Sequence, residues 1–435
     1  MLARLRHHFP ALASVAIRGV GVALGFVLVI AIGRIWGPAG NGIYGLVSQT
    51  AMLLAIVSVG GLDLAAVRSL SQINPLHHRI AGGTILRLIG VTLGLAAIPV
   101  AVMLIFGDQA IRWLTGESVP AFALAAVVVL LVARALVRMI SAILRAQHFF
   151  LLGQFVDAAL IPALFCAVLV TAAAVSIDDL LRWIAIMSLA AIIIGLGALG
   201  GVSFFAQRSG KARRAPALRA MMATALPLWG VTIALNLADW YGLMVVTAQL
   251  GLTEAGIYRV VMQFSTAFSI LSTGLFGVYS VRIGAAQSAQ DWPHVARLVH
   301  SATRLSAALV IPPVAILLLL ADNVLGLVGP AFVAGASALQ IALVGQVLYV
   351  ILGPAGLTLA MTGYARINLV ITLTSTAALV ICAPLAASHF GMIGVVGAIS
   401  VLLVARNLVS LVFVRSKLGI NALTGNYSAR QIAPQ

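Results

Sequence analysis

Apolar residues in this chain come in runs too long and unbroken for the alternation of a half-buried strand or the stripe of a surface helix. A helix that crosses the hydrocarbon of a bilayer needs about 20 apolar residues at 1.5 Å rise each. Runs of that order cover Ala11–Ile35, Ile43–Ala66, Ile80–Phe106, Ala121–Leu136, Phe150–Ala174 and Leu180–Phe205 in the first half. In the second half they cover Met221–Leu250, Ile257–Val281, Leu298–Leu320, Phe332–Leu352, Ile367–Ala387 and Met392–Val414. The pattern predicts an all-α polytopic membrane protein of about twelve spans. Pro99 and Pro313 sit inside their runs, remove a backbone hydrogen bond and predict kinks. Gly21 with Gly25, and Gly197 with Gly201, are four apart and predict close helix packing.

The turns between runs carry a repeat. Gly37-Pro-Ala-Gly-Asn-Gly-Ile-Tyr44 recurs as Gly251-Leu-Thr-Glu-Ala-Gly-Ile-Tyr258, at an offset of 214 residues. The same offset pairs Gln49 with Gln263, Gly60 with Gly274, Arg68 with Arg282, Pro99 with Pro313 and Asp108 with Asp322. A shared apolar bias matches Leu or Val, but not Gly, Tyr, Gln, Arg, Pro and Asp in one register. The chain therefore reads as two homologous six-helix bundles, residues 1–207 and 220–414. A basic linker, 208–219, joins them, and 415–435 forms a tail.

Composition agrees. The 435 residues are 62% hydrophobic and 8% charged, against about 25% charged in soluble domains. The net charge of +16 fits basic cytoplasmic loops better than a nucleic-acid partner, and none is expected. Arg4, Arg6, Arg68, Arg79, Arg138, Arg145, the segment Arg208–Arg214, Arg366, Arg415 and Lys417 fall on one side of the predicted topology. That side is cytoplasmic by the positive-inside rule, and both termini lie there. Asp108, Glu117, Asp178, Asp179, Glu254 and Asp322 fall on the other. The basic Met1–Pro10 precedes a run of signal-peptide type, but its length and Arg18 point to a retained first span. Cys166 and Cys382 each lie inside an apolar run and form neither a disulfide framework nor a metal set.

Charges inside the runs are the informative exceptions, because each costs roughly 2.5–3.5 kcal/mol on insertion scales. They are Arg18, Arg87, Asp157, Asp239, Arg259, Arg304 and Arg406. Arg87 and Arg304 occupy equivalent spans at similar depth, and Arg18 and Arg406 enter theirs about as far. Four guanidinium groups in one layer would give a cavity a positive interior suited to a phosphate or diphosphate. The competing reading is that each arginine snorkels to the headgroups, Arg259 most of all. Asn236 and Asp239 share a helix face, and with Asp157 they are candidates for coupling to H⁺ or Na⁺, a structural ion pair being the alternative. Asp63, near the cytoplasmic end of the second span, is expected to pair with nearby Arg68 or to cap the interface. No Walker-type loop, HExxH or Cys/His cluster is present in the sequence, so no cofactor is expected.

The repeated Gly-x-x-x-x-Gly-Ile-Tyr, with Asp239 ahead of its second copy, resembles the Wzx-type polysaccharide flippases. These are the RfbX-like branch of the multidrug/oligosaccharidyl-lipid/polysaccharide exporter superfamily. Trp240 follows Asp239 where that family often has a basic residue, so the charge partner of Asp239 is left open. The resemblance implies movement of a polyprenyl-diphosphate-linked oligosaccharide from the cytoplasmic to the outer leaflet of a bacterial inner membrane by alternating access. Membrane lipids and a polysaccharide polymerase are the other expected partners. Two rival readings stay open: an ion-coupled antiporter of cationic drugs from the same superfamily, and a membrane-embedded polymerase or transferase. The first would call for a carboxylate-rich cavity and the second for a large outer loop or acidic metal-binding loops. On the flippase reading, replacing Arg87 and Arg304 together with Ala is expected to stop export.

Overall fold

A computed structural model describes residues 2–70, 78–115, 122–171, 176–206, 211–213, 218–422 and 424–428. Apart from two three-residue strands, β1 (His78–Ile80) and β2 (Lys211–Arg213), which pair in parallel, the described regular elements are helical. The first seven helices are α1 (Leu2–Val59), α2 (Leu62–Leu70), α3 (Gly82–Thr115), α4 (Phe122–Ala146), α5 (Phe150–Ala158), α6 (Leu160–Thr171) and α7 (Ile177–Ala206). There follow α8 (Leu218–Ser288), α9 (Trp292–Leu319), α10 (Ala321–Val328), a 3₁₀ turn (Pro330–Gly335), α11 (Ala336–Leu352), α12 (Ala355–Met361) and α13 (Ala365–Leu418).

Eight described helices are long and apolar enough to cross a membrane, and the bent pair α5–α6 makes a ninth. Three of the eight are twice the needed length. Each of these breaks at a glycine: α1 at Gly37, α8 at Gly251 and α13 at Gly391. The φ,ψ pairs there are 65°, −165°, then 88°, 175°, and 61°, −146°, a region open almost only to glycine. Counting each broken helix as two arms gives twelve spans, the number the apolar runs predict. The first two breaks fall at the first glycine of the repeated turn.

Several details depart from the sequence reading. The fourth span does not stop at Leu136: α4 runs on to Ala146 and takes Arg138 and Arg145 into the helix. The fifth span is not one helix but α5 and α6, bent by 51°. Pro162 in the first turn of α6 offers no N–H to the Ala158 carbonyl, which is the physical reason for the bend. The helices α3 and α9 do carry Pro99, and Pro312 with Pro313, inside their helical residues, where the sequence reading placed Pro99 and Pro313. Gly21 makes the close approach expected of it, since a Cβ there would lie 2.5 Å from the Ala158 carbonyl oxygen. Gly197 and Gly201 are exposed, and a Cβ at either would meet no described atom within 4 Å.

The chain forms two compact units, residues 1–36 with 43–236, and 37–42 with 237–435. The division thus falls inside α8, whereas most of the predicted linker lies outside the described residues. The start of α8 belongs to the first unit because Trp229 donates its indole N–H to the Ile56 carbonyl at 2.9 Å and packs on Gly61. Within that unit α4 packs against α2, α3, α5 and α7, and more of it is buried than of any other described span. Within the second unit α11 packs against α9 and α13. The tail is not loose along its described part: α13 ends at Leu418, Gly419 turns in the left-handed region (φ 64°), and Ile420 bridges back to Tyr427. Ile420 and Ala422 are buried with Val295 and Val299 of α9.

Candidate substrate site

In the first unit, charge collects on α4. Arg134, Arg138 and Arg145 are spaced i, i+4, i+11, which places them within about 40° of one another around a helix of 3.6 residues per turn. They form a ladder about 16 Å long on one face. All three are half-buried. A helix packed against four others, carrying three guanidinium groups on one face, is an expensive arrangement and makes this face the candidate site.

The partners are specific. The Arg138 Nε donates to the Asp63 carboxylate at 2.6 Å. The sequence reading offered Arg68 as the partner of Asp63; five residues apart on α2, those two side chains point about 140° away from each other. Asp157, next to the bend between α5 and α6, acts electrostatically on both Arg134 and Arg145, and Arg18 of α1 acts on Arg145. Counting Arg18 and Asp157, both exposed, four guanidinium groups and two carboxylates lie within electrostatic reach of one another, a net of two positive charges. Arg134 is left under-satisfied. Its Nη1 approaches only the Met52 sulfur, at 3.7 Å, and its buried Nε–H has no acceptor among the described residues. Tyr44, from the first copy of the turn, acts electrostatically on Arg134, and its ring packs against Phe165 with centroids 6.1 Å apart.

In the second unit the charge is more balanced. Asp239 of α8 keeps accessible surface, and Arg406 of α13 acts on it electrostatically. Arg406 is held by its neighbour: Asn407 is buried and donates to the carbonyls of Tyr349 at 3.0 Å and Gly353 at 2.9 Å, tying α13 to the end of α11. Tyr258, from the second copy of the turn, is buried, with its hydroxyl close to Gly242 and lacking a hydrogen-bond partner among the described residues. Asp239 acts on it electrostatically. Asn236 donates to the Thr232 carbonyl at 2.8 Å on its own helix.

The arginines expected in one layer divide between the units, Arg18 and Arg87 in the first and Arg304 and Arg406 in the second. Arg18 joins the α4 arginines and Arg406 joins Asp239. Arg87 on α3 and Arg304 on α9 are exposed, beside Leu86 and Leu305, which are 72% and 48% exposed. Arg259 is half-buried on α8. The residues that sequence reasoning missed are Arg134, Arg138 and Arg145. The signal was available, because their spacing repeats with the helical period, but a span boundary drawn at Leu136 hid it.

The model of a family described as polysaccharide biosynthesis protein matches residues 11–281. A comparison with curated proteins returns no match. Among solved structures, an inward-facing multidrug resistance MATE family transporter of the MOP superfamily superposes with a TM-score of 0.72 at 14% identity, covering 96% of this chain and 100% of that one. An outward-facing MATE transporter of the same superfamily gives 0.59 at 16%, covering 94% and 95%. A MOP superfamily transporter from Pyrococcus furiosus, described as having a binding pocket of reversed polarity that suggests a different function, gives 0.64 at 15%, covering 94% and 95%. At these identities the structures attest the fold. With the family match over more than half its length, the chain belongs to the polysaccharide biosynthesis protein family, and it is a multi-pass membrane protein with the fold of the MOP superfamily transporters.

Proposed function

We propose that this protein is a flippase that carries a polyprenyl-diphosphate-linked oligosaccharide from the cytoplasmic to the outer leaflet of a bacterial inner membrane. The observation that carries this reading is the arginine ladder on α4, with its net positive charge and the unsatisfied Arg134 Nε–H. Guanidinium groups bind phosphate oxygens bidentately and stay charged at any working pH. Asp63 and Asp157 neutralise part of the cluster and leave the remainder for a substrate anion. In this scheme Arg134, Arg145 and Arg18 hold the diphosphate, Arg138 is braced by Asp63, and Asp239 with Arg406 forms a separate charge pair through which H⁺ or Na⁺ couples to transport.

The reading that competes with it is the multidrug antiporter, which the MATE fold neighbours favour. A site for cationic drugs needs an excess of carboxylate, and the α4 cluster has the opposite balance. The deciding experiment deletes the gene and follows the lipid-linked sugars. Accumulation of an undecorated cell carrying one lipid-linked glycan on the cytoplasmic leaflet supports the flippase. Normal surface polysaccharide with heightened sensitivity to cationic drugs overturns it.

A further inference from the structure

The two arms of α13, before and after Gly391, leave between them a groove of about 480 Å³. That lies within the range of about 300–1,000 Å³ typical of small-molecule sites. One wall runs from Arg366 to Ala378 and the other returns from Leu402 to Phe413. At 1.5 Å per residue the groove is about 18 Å long, a little over half of a hydrocarbon layer of about 30 Å. Its walls are apolar, Ile367, Val370 and Ile371 standing with Leu402, Val409 and Phe413. Val370 and Val409 are 61% and 44% exposed, so the described residues of the second unit do not cover them.

Four polar residues line the groove, Arg366, Thr374, Ser375 and Arg406, and its mouth is basic. Ser375 gives its hydroxyl to the Leu402 carbonyl on the facing arm at 3.4 Å. Arg406 lies about midway along the second wall, where Asp239 acts on its charge. Arg366, at the first turn of α13, is exposed at the mouth. Arg415 and Lys417 leave the second arm at the same end of the pair. No carboxylate lines the groove. An occupant that matches has an anionic head at Arg366 and an apolar chain running inward. Both walls come from one helix pair, which makes the groove one chain wide; a diacyl phospholipid would leave its second chain outside.

We propose that this groove docks the isoprenoid chain of a phosphate-headed lipid, with the phosphate on Arg366. The identity of the lipid rests on the flippase reading, while the groove itself does not. Such a site would hold the lipid at the flank of the second unit as a docking position, occupied before its phosphate leaves Arg366 for the α4 arginines.

The test uses purified full-length protein in phosphatidylcholine nanodiscs and a long-chain polyprenyl phosphate carrying a diazirine in its chain. Cross-links are expected within residues 366–378 and 402–413. Thr374→Trp, which fills the groove, is expected to abolish them, while Thr374→Ser keeps them. Arg366→Ala should weaken capture about tenfold, the loss of one charge-assisted hydrogen bond. Labelling outside α13, labelling that persists in Thr374→Trp, or equal competition by dioleoylphosphatidylglycerol overturns the proposal. The two readings fail separately. Labelling confined to α13 in a protein whose deletion leaves glycan export intact sinks the flippase and keeps the groove. Scattered labelling in a protein whose Arg134→Ala variant stops export does the reverse.

Discussion

At the scale of single residues, what decides a charge's role is what surrounds it. Arg134 and Arg145 are half-buried on a packed helix with a shared carboxylate, whereas Arg87 and Arg304 stand among exposed leucines, where snorkelling to the headgroups satisfies them. Replacing Arg134 and Arg145 together with Ala is therefore expected to cut surface polysaccharide about tenfold or more at unchanged protein level, one charge-assisted contact being worth about that much. The Arg87→Ala, Arg304→Ala double variant should keep most of its export, against the expectation from sequence; if it is the one that fails, the α4 site is misplaced. Asp63→Ala strands the Arg138 guanidinium and should lower thermal stability of the detergent-purified protein by about 2–3 kcal/mol. The exchange Asp63→Arg with Arg138→Asp should recover part of that loss, which a purely local packing defect would not allow. Asp239→Asn should remove the dependence of transport on an imposed H⁺ or Na⁺ gradient in proteoliposomes, and unchanged dependence would reduce Asp239 to a structural partner of Arg406. The sequence disclosed that arginines outnumber carboxylates inside the spans. It did not disclose which arginines meet a carboxylate, because Asp63 and Arg138 are 75 residues apart and only the packing of α2 on α4 joins them.

At the scale of elements, hydropathy located every span but blurred the ends and the breaks. Arg138 and Arg145 looked like loop residues because a window average falls at each of them, although a charge paired on a helix face need not end the helix. The bend between α5 and α6 was hidden in an apolar run, and its cause is a missing donor at Pro162, not a polar residue. The bend leaves the Ala158 carbonyl facing α1, where Gly21 alone offers room. Gly21→Ala would place a methyl against that backbone oxygen, which no rotamer change relieves, and is expected to cost about 1–3 kcal/mol. A drop in the melting temperature of purified protein checks it. Gly197→Ala, facing open space on α7, serves as the comparison and should leave melting unchanged. If both behave alike, the contact seen at Gly21 does not hold the helices.

At the scale of the whole chain, the duplication is written into its backbone geometry. Gly37 and Gly251, one offset apart, break α1 and α8 in the same glycine-only conformation. The second glycines of the two turns then meet each other. A Cβ on Gly42 would overlap the Leu252 carbonyl oxygen, and a Cβ on Gly256 would overlap the Pro38 carbonyl oxygen. Pro38 and Leu252 are related by the same offset, so the contact is self-complementary in the way of a twofold interface, with each copy offering the other the same surface. The repeat was legible in the sequence; that its two copies touch was not, since nothing in a turn's composition says what it packs against. The contact makes a prediction about coupling. Gly42→Ala and Gly256→Ala should each destabilise the purified protein by about 1–3 kcal/mol, because backbone must part from backbone. Once the first methyl has separated the turns, the second finds the space already open. The double variant should then cost clearly less than the sum of the singles, an interaction of the kind expected for residues in direct contact. Strict additivity in a melting-temperature cycle would mean that the two glycines act independently and that the paired turns are not a single structural unit.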